Sequence, residues 1–334
     1  MIKIGIVGLG RIGQVHIQNI QQRIPDAQIV AACSATEQSL RFAANMGVNL
    51  LFTSFKKMLE EVSMDAVIIA SPTALHFEHL QLAIAAGKHI FCEKPIDLTL
   101  DNVQHIKSLV DKAGIKFMLG FNRRYDPNIL KIKQELTDQR LGNIHSLRLI
   151  SRDPGPPPMD YIKTSGGLFL DMAIHDFDLA RHLMESEVSE IYTAATIFGK
   201  LPLKSVDDVD TAISVLKFQN GSFATIENSR NSTYGYDQRV EVFGDQGLLA
   251  TGNKSEDTVY SANSNGFHYP KPLKFFIERY KESYFNILDV FVKSLTQDLE
   301  PEVTQRDGLK SLIISLAAKK SQLENRTVSL SEIN

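Results

Sequence analysis

The 334-residue chain has no tryptophan, only two cysteines, and no long run of lysine and arginine. Each scarcity removes a class of function. Cys33 and Cys92 each end an apolar run, which suits buried thiols and leaves neither a disulfide framework nor a zinc site, so no metal is expected. With 36 basic against 39 acidic side chains the formal charge is -3, so neither a nucleic acid nor an anionic membrane is an expected partner. Long apolar runs are missing too, and no membrane span is expected. The strand-like run from Ile2 to Val7 leaves no room ahead of it for a signal peptide, so the expected location is cytoplasmic. What is present is ordinary for a globular protein: 43% hydrophobic and 22% charged residues. That composition can bury a large core, and the length favours two domains over one.

The opening strand is followed by Gly8-Leu9-Gly10-Arg11-Ile12-Gly13 and then by an amphipathic segment through Ile17 and Ile20. Three glycines alone are a weak signal. Between a strand and a helix they have a mechanism: a tight turn, close approach of backbone to a pyrophosphate, and a helix N-terminus facing the phosphates. Gly8, Gly10, Arg11, Ile12 and Gly13 are therefore expected to bind a dinucleotide. Strand-like segments at 28–33, 66–70, 88–92 and 116–119 then alternate with helix-like ones at 36–46, 74–86 and 100–113. The alternation predicts an α/β fold, with a doubly wound parallel Rossmann sheet over residues 1–120. A carboxylate gripping the adenosine ribose belongs at the end of the second strand, about twenty residues after the glycines. Ser34 stands there, and no acid follows until Glu37. Serine does not repel a 2'-phosphate, so NAD is the expected cofactor with NADP left open.

A second domain is expected over residues 121–334. Strand-like runs at 144–151, 191–198, 210–218, 222–228 and 238–243, with turns at Asn220-Gly221 and Gly244-Asp245-Gln246-Gly247, read as an open, mostly antiparallel meander. Two helices, at 275–295 and 304–323, close the chain. The loop Asp153-Pro154-Gly155-Pro156-Pro157-Pro158 is stiffened by proline and suits either a site wall or a plain connector.

The segment from Gly166 to Asp178 holds the densest chemistry. If it is a regular helix, Asp171, His175 and Asp178 fall at i, i+4 and i+7, on one face. That face suits acid/base work, and it suits a core helix with a buried His-Asp pair equally. Asp176 points off the face and reads as structural. Upstream, the strand at 88–92 runs into Glu93-Lys94-Pro95, which puts a lysine at the carboxyl end of a parallel strand, where open α/β sheets bind ligands.

Taken together, the opening glycines, Ser71-Pro72-Thr73, Glu93-Lys94-Pro95 and the acidic segment at 171–178 resemble the Gfo/Idh/MocA oxidoreductase family. Within that family the likeness is closest to inositol 2-dehydrogenases, through residues 91–95, Phe121-Asn122-Arg123-Arg124-Tyr125-Asp126-Pro127, Ser151-Arg152-Asp153-Pro154, residues 166–178 and Tyr234-Gly235-Tyr236-Asp237-Gln238-Arg239. The resemblance implies a Rossmann domain followed by an α+β domain with a large open sheet, in a homodimer or homotetramer. It implies cofactor contacts from Ser34, Ser71, Pro72, Thr73, His76, Glu93 and Lys94, catalysis by Lys94, Asp171 and His175, and substrate contacts from Arg123, Asp153, Asp178, Tyr234 and Tyr236.

The implied reaction is NAD(P)-dependent oxidation of myo-inositol to its 2-keto form. Such a step needs a base for the hydroxyl proton, and His175 is suited to it. Asp171 is suited to orient the base or the hydroxyls, and Lys94 to stabilise the developing alkoxide. Another cyclitol or a pyranose would use the same residues. A dinucleotide-sensing regulator on the same fold is a further alternative, weakened by the presence of all three catalytic candidates.

Overall fold

Short apolar strands alternate with helices through the first third of the chain in the computed structural model, which describes residues 1–333. The order is β1 (Ile2–Val7), α1 (Arg11–Arg23), β2 (Ala27–Cys33), α2 (Glu37–Asn45), β3 (Leu50–Phe52), α3 (Phe55–Glu61), β4 (Ala66–Ile69), α4 (His76–Ala85), β5 (His89–Cys92), α5 (Leu100–Ala113) and β6 (Phe117–Leu119). There follow α6 (Pro127–Thr137), β7 (Ile144–Arg152), α7 (Met159–Ser165), a π-helical stretch (Leu168–Ala173), α8 (Ile174–Met184), β8 (Val188–Thr196), β9 (Thr211–Phe218), β10 (Phe223–Ser229), β11 (Asp237–Gly244) and β12 (Gly247–Thr251). The small hairpin β13 (Ser261–Asn263) and β14 (Gly266–His268), then α9 (Phe276–Arg279), α10 (Lys281–Thr296), α11 (Gln305–Glu324) and β15 (Val328–Ser329), complete the fold.

The first unit comprises residues 1–125 and 282–312. Its six strands are parallel in the order β3-β2-β1-β4-β5-β6, the doubly wound arrangement whose ligand crevice lies where the order reverses. Strands β1 and β4 are buried almost throughout, as a sheet covered on both faces requires. The chain returns to this unit after residue 281. Phe291 of α10 is fully buried with its ring 5.7 Å from Phe91. The Leu119 amide donates to Val303 (3.0 Å), and Arg124 pairs with Asp307 (2.8 Å).

The second unit comprises residues 126–281 and 313–334. Its seven-stranded sheet runs β12-β11-β7-β10-β9-β8-β15, with β7 and β10 parallel and every other pair antiparallel. One face carries α8. The Ser151 hydroxyl of β7 donates to Asp176 Oδ1 (2.6 Å) and Asn228 of β10 donates to Asp176 Oδ2 (2.7 Å). Asp176 is thus structural. On the opposite face stand exposed apolar side chains that the register places together: Tyr192, Ile213, Val215, Phe223, Phe243 and Leu248.

Residues 121–125 and 282–312 group with the first unit. Two expectations change. The meander is interrupted, since β7 lies between β10 and β11 and makes the sheet mixed. The stretch from 166 to 178 is not one regular helix but a π-helical stretch leading into α8, which alters the pitch on which the Asp171/His175/Asp178 face rested. Among the described residues no helix is long and apolar enough to cross a membrane.

Phe291→Ala empties a fully buried site against Phe91 in the first unit. It should cost roughly 3–5 kcal/mol of stability, measured by denaturant unfolding; a change under about 1 kcal/mol would show that α10 does not belong to this core.

Candidate active site

In the first unit the three glycines divide their tasks as a dinucleotide turn requires. Gly8 has φ +90°, and a Cβ there would lie 2.4 Å from the Ala70 carbonyl oxygen. A Cβ on Gly13 would lie 2.0 Å from Gly8 O, so this glycine lets α1 pack on the turn. A Cβ on Gly10 would meet nothing within 4 Å. The second glycine therefore keeps open the space a pyrophosphate would take. Gly10 is also the N-cap of α1 and no side chain caps that end, so amide groups and the positive end of the helix dipole face the same space. Arg11 and Ile12 form the first turn. The residues present fit a dinucleotide.

Ser34 follows β2, with its hydroxyl accepting from the Thr36 amide at 3.4 Å. Glu37 and Arg41 pair with each other on the surface of α2 at 2.6 Å, and neither supplies the missing ribose carboxylate. After β4, Ser71 is buried and its hydroxyl is 3.0 Å from His79 Nδ1, while Pro72 and Thr73 lead into α4. His76 is buried between two carbonyls, Pro95 O at 2.7 Å from Nδ1 and Ser71 O at 2.8 Å from Nε2. Burial pulls its imidazole below the ordinary histidine range, against those two carbonyls and Glu93. A neutral ring donates to only one of them. The geometry makes His76 a clamp between the loops after β4 and β5.

Lys94, partly exposed, follows β5 beside Glu93. Glu93 Oε1 lies 2.7 Å from Nε2 of His16, a fully buried histidine of α1 that contacts the rings of Phe91 and Tyr284. The contact of His16 with Glu93 was not legible in the sequence, since a lone histidine in an apolar helix gives no signal. Arg123 is buried in the first unit.

In the second unit the segment from Gly167 to Ala180 is buried at every position except two. These are Asp171 and His175. Asp171 Oδ1 accepts from Tyr161 Oη (2.9 Å) and Oδ2 from Arg230 Nη2 (3.0 Å). Gly167 caps the π-helical stretch, its φ of +75° and the closeness of Asp208 exclude a side chain there, and the Leu168 amide donates to Asp208 Oδ1 (2.8 Å). Asp178 is buried with Arg181 Nη1 3.9 Å away, whereas Asp171 and His175 are half-buried. Tyr161 and Arg230 contact Asp171, and Asp208 contacts Arg230 and the Leu168 amide, neighbours that no sequence spacing reveals.

Asp153 is half-buried and ties the end of β7 to the turn beyond β10: its amide donates to Ser229 O (2.8 Å) and its carbonyl accepts from Ser232 N (2.9 Å). Tyr236 is buried edge-on to Tyr280 with ring centroids 6.0 Å apart. The Tyr234 hydroxyl bonds Asp237 (2.5 Å) and receives Arg152 Nη1 (2.8 Å). Arg152 follows Ser151 in β7 and so points to the sheet face opposite α8. Tyr234 therefore belongs to a polar cluster on the open face. Burial alone would raise the Asp237 carboxyl there, but Arg239, Tyr234 and Asn253 outweigh it and hold it below the usual carboxylate range. Neither thiol offers chemistry: burial pushes Cys33 up to about 11 and Cys92 well above its ordinary value.

These features have known counterparts. Residues 2–121 match the model of an oxidoreductase family with an NAD-binding Rossmann fold, and residues 129–250 match the GFO/IDH/MocA C-terminal domain. The chain belongs to this family. Its N-terminal unit is an NAD-binding Rossmann domain. A myo-inositol 2-dehydrogenase of Thermotoga maritima is 41% identical over 99% of both chains. An inositol 2-dehydrogenase of Rhizobium meliloti is 37% identical over 98% of this chain and 99% of its own. A crystal structure of scyllo-inositol dehydrogenase from Lactobacillus casei, with bound NAD(H) and scyllo-inositol, superposes with TM-score 0.92 at 31% identity, covering 99% of each chain.

Gly10→Ala adds a methyl where the protein itself has room. The variant should keep its melting temperature and bind NAD about tenfold or more weakly by fluorescence titration, a loss of at least ~1.4 kcal/mol. Unchanged affinity would show that the open space at Gly10 is not the phosphate site.

Proposed function

We propose that this protein oxidises a cyclitol, in the first place myo-inositol to its 2-keto form, with NAD as oxidant and Lys94, Asp171 and His175 as catalytic residues. One observation carries the reading: within a segment otherwise sealed in the core, only an acid and a base remain accessible, and the acid is held at both carboxylate oxygens. The inositol 2-dehydrogenases among its relatives support it.

Gly8, Gly10, Arg11, Ile12 and Gly13 would hold the dinucleotide, with Ser34 at the adenosine ribose and Ser71, Pro72, Thr73 and Glu93 along the strand ends. NAD supplies the acceptor for the hydride that leaves the substrate carbon. His175 takes the proton of the reacting hydroxyl as general base. Lys94 donates a hydrogen bond to that oxygen and offsets its developing negative charge. Asp171 accepts from a neighbouring hydroxyl and so orients the ring, and Arg123, Asp153, Asp178, Tyr234 and Tyr236 are the further candidates for hydroxyl recognition. Discrimination among hydroxyls by such donors and acceptors is strong, because a wrong isomer leaves a buried polar group unpaired.

A second reading, that another inositol isomer is the better substrate, is favoured by the scyllo-inositol bound to the Lactobacillus casei relative. We further infer assembly into a homodimer or homotetramer through the open sheet face, supported by its exposed Ile213, Val215, Phe223, Phe243 and Leu248. Action in the cytoplasm is supported by two buried free thiols.

The test is a spectrophotometric screen of NAD and NADP against myo-inositol, scyllo-inositol, chiro-inositol and glucose. Turnover of an inositol with NAD is expected. Absence of turnover with every polyol while dinucleotide still binds would favour a sensor instead, and strong preference for NADP would overturn the cofactor reading. Lys94→Ala and His175→Ala should each lower kcat by about 10²–10⁴-fold with dinucleotide affinity retained; full activity in either would remove that residue from the mechanism.

A further inference from the structure

We infer that Arg230 is a positioning residue that holds the Asp171 carboxylate for the substrate hydroxyls, an inference that rests on the reading of Asp171 as a substrate-facing group. Arg230 follows the last residue of β10 and is only 1% exposed. Its backbone amide donates to Asp210 O at 2.9 Å, so the residue is fixed at its root. Asp210 is itself anchored, accepting from the amides of Phe198 and Gly199. From that root the guanidinium reaches two carboxylates. Nη2 donates to Asp171 Oδ2 (3.0 Å), and Nη1 stands 3.6 Å from Asp208 Oδ2.

Asp208 ties the same cation to the start of the π-helical stretch, because its other oxygen accepts from the Leu168 amide and its carboxyl fills the space beside Gly167. Arg230 therefore couples both ends of the residue 168–171 turn. The guanidinium is not saturated: Nε and Nη1 make no hydrogen bond within the protein. Its burial is compensated by the charges of Asp171 and Asp208 rather than by a full set of acceptors. A buried cation in that condition holds its anions in place, since losing either leaves charge uncompensated in the interior. Tyr161 takes the second oxygen of Asp171 from the exposed side. With one oxygen set from beneath and the other from above, the carboxylate has one orientation to offer a ligand.

This assignment differs from a plain structural ion pair in what it predicts for kinetics. Arg230→Met should lower kcat for the polyol by about 100-fold, the cost of a misplaced orienting group, with the KM for NAD unchanged. Arg230→Lys keeps the charge without the fork and should recover part of the loss; it also serves if the methionine variant fails to fold. Crystal structures of both variants should show the Asp171 carboxylate turned from its present position. A kcat within about twofold of wild type in Arg230→Lys and Arg230→Met, or an unmoved Asp171 side chain in their structures, would overturn the inference. Wild-type protein that turns over no polyol would instead overturn the proposed function, and the Asp171 side chain in the variant structures would still decide the positioning claim.

Discussion

The second unit depends on one buried carboxylate. Asp176 accepts from Ser151 on β7 and from Asn228 on β10, and these two residues are direct neighbours in the parallel ladder. Only one register brings both donors to the same place, because a slip by one residue would turn either side chain to the opposite face. The two hydrogen bonds therefore report correct strand pairing and fix the rotation of α8 about its axis at once. His175 precedes Asp176 by one residue. With Asp176 held inward, the histidine is kept at the accessible edge of an otherwise buried segment. A sheet contact thus determines where a base can stand.

The first unit uses buried imidazoles in a comparable way. His16 reaches from α1 to Glu93, and His76 spans the carbonyls of Ser71 and Pro95. Each joins a helix to the loop at a strand's carboxyl end, where backbone polar groups emerge from the sheet and need partners. Lys94 lies between residues held by these two contacts. A flexible lysine acquires a defined place when the backbone on either side of it is tied down, and the Gly120 amide donates to Cys92 O (2.7 Å) just ahead of that loop.

The Rossmann order was legible because strand, glycine turn and helix repeat with their own periodicities, and the glycine roles follow from sterics alone. The edge strand β3 was not, being three residues long with Leu50 and Leu51 exposed. Nor was the return of residues 282–312 to the first unit, since an amphipathic helix declares that it has an apolar face but not what covers it. At the site, Asp171 and His175 were legible as residue types at a suggestive spacing. The π-helical stretch beneath them was not, because it depends on Gly167 meeting Asp208, some forty residues away in sequence. Tyr234 and Tyr236 carried the resemblance but are drawn to Asp237 and Tyr280 by contacts that no linear pattern encodes.

Three carboxylates within eight residues show how environment assigns role. Asp176 is buried and meets two neutral donors, so its task is to locate a helix. Asp178 is buried near Arg181, whose closer partner is Glu187 at 2.8 and 2.9 Å. Asp171 alone is accessible, and it alone is gripped by a cation below and a phenol above. A carboxylate exposed without such contacts would sample rotamers and offer a hydroxyl no fixed acceptor. One buried within them would meet no hydroxyl at all. Partial exposure combined with fixed orientation is the condition that ring recognition needs, and of the three only Asp171 meets it.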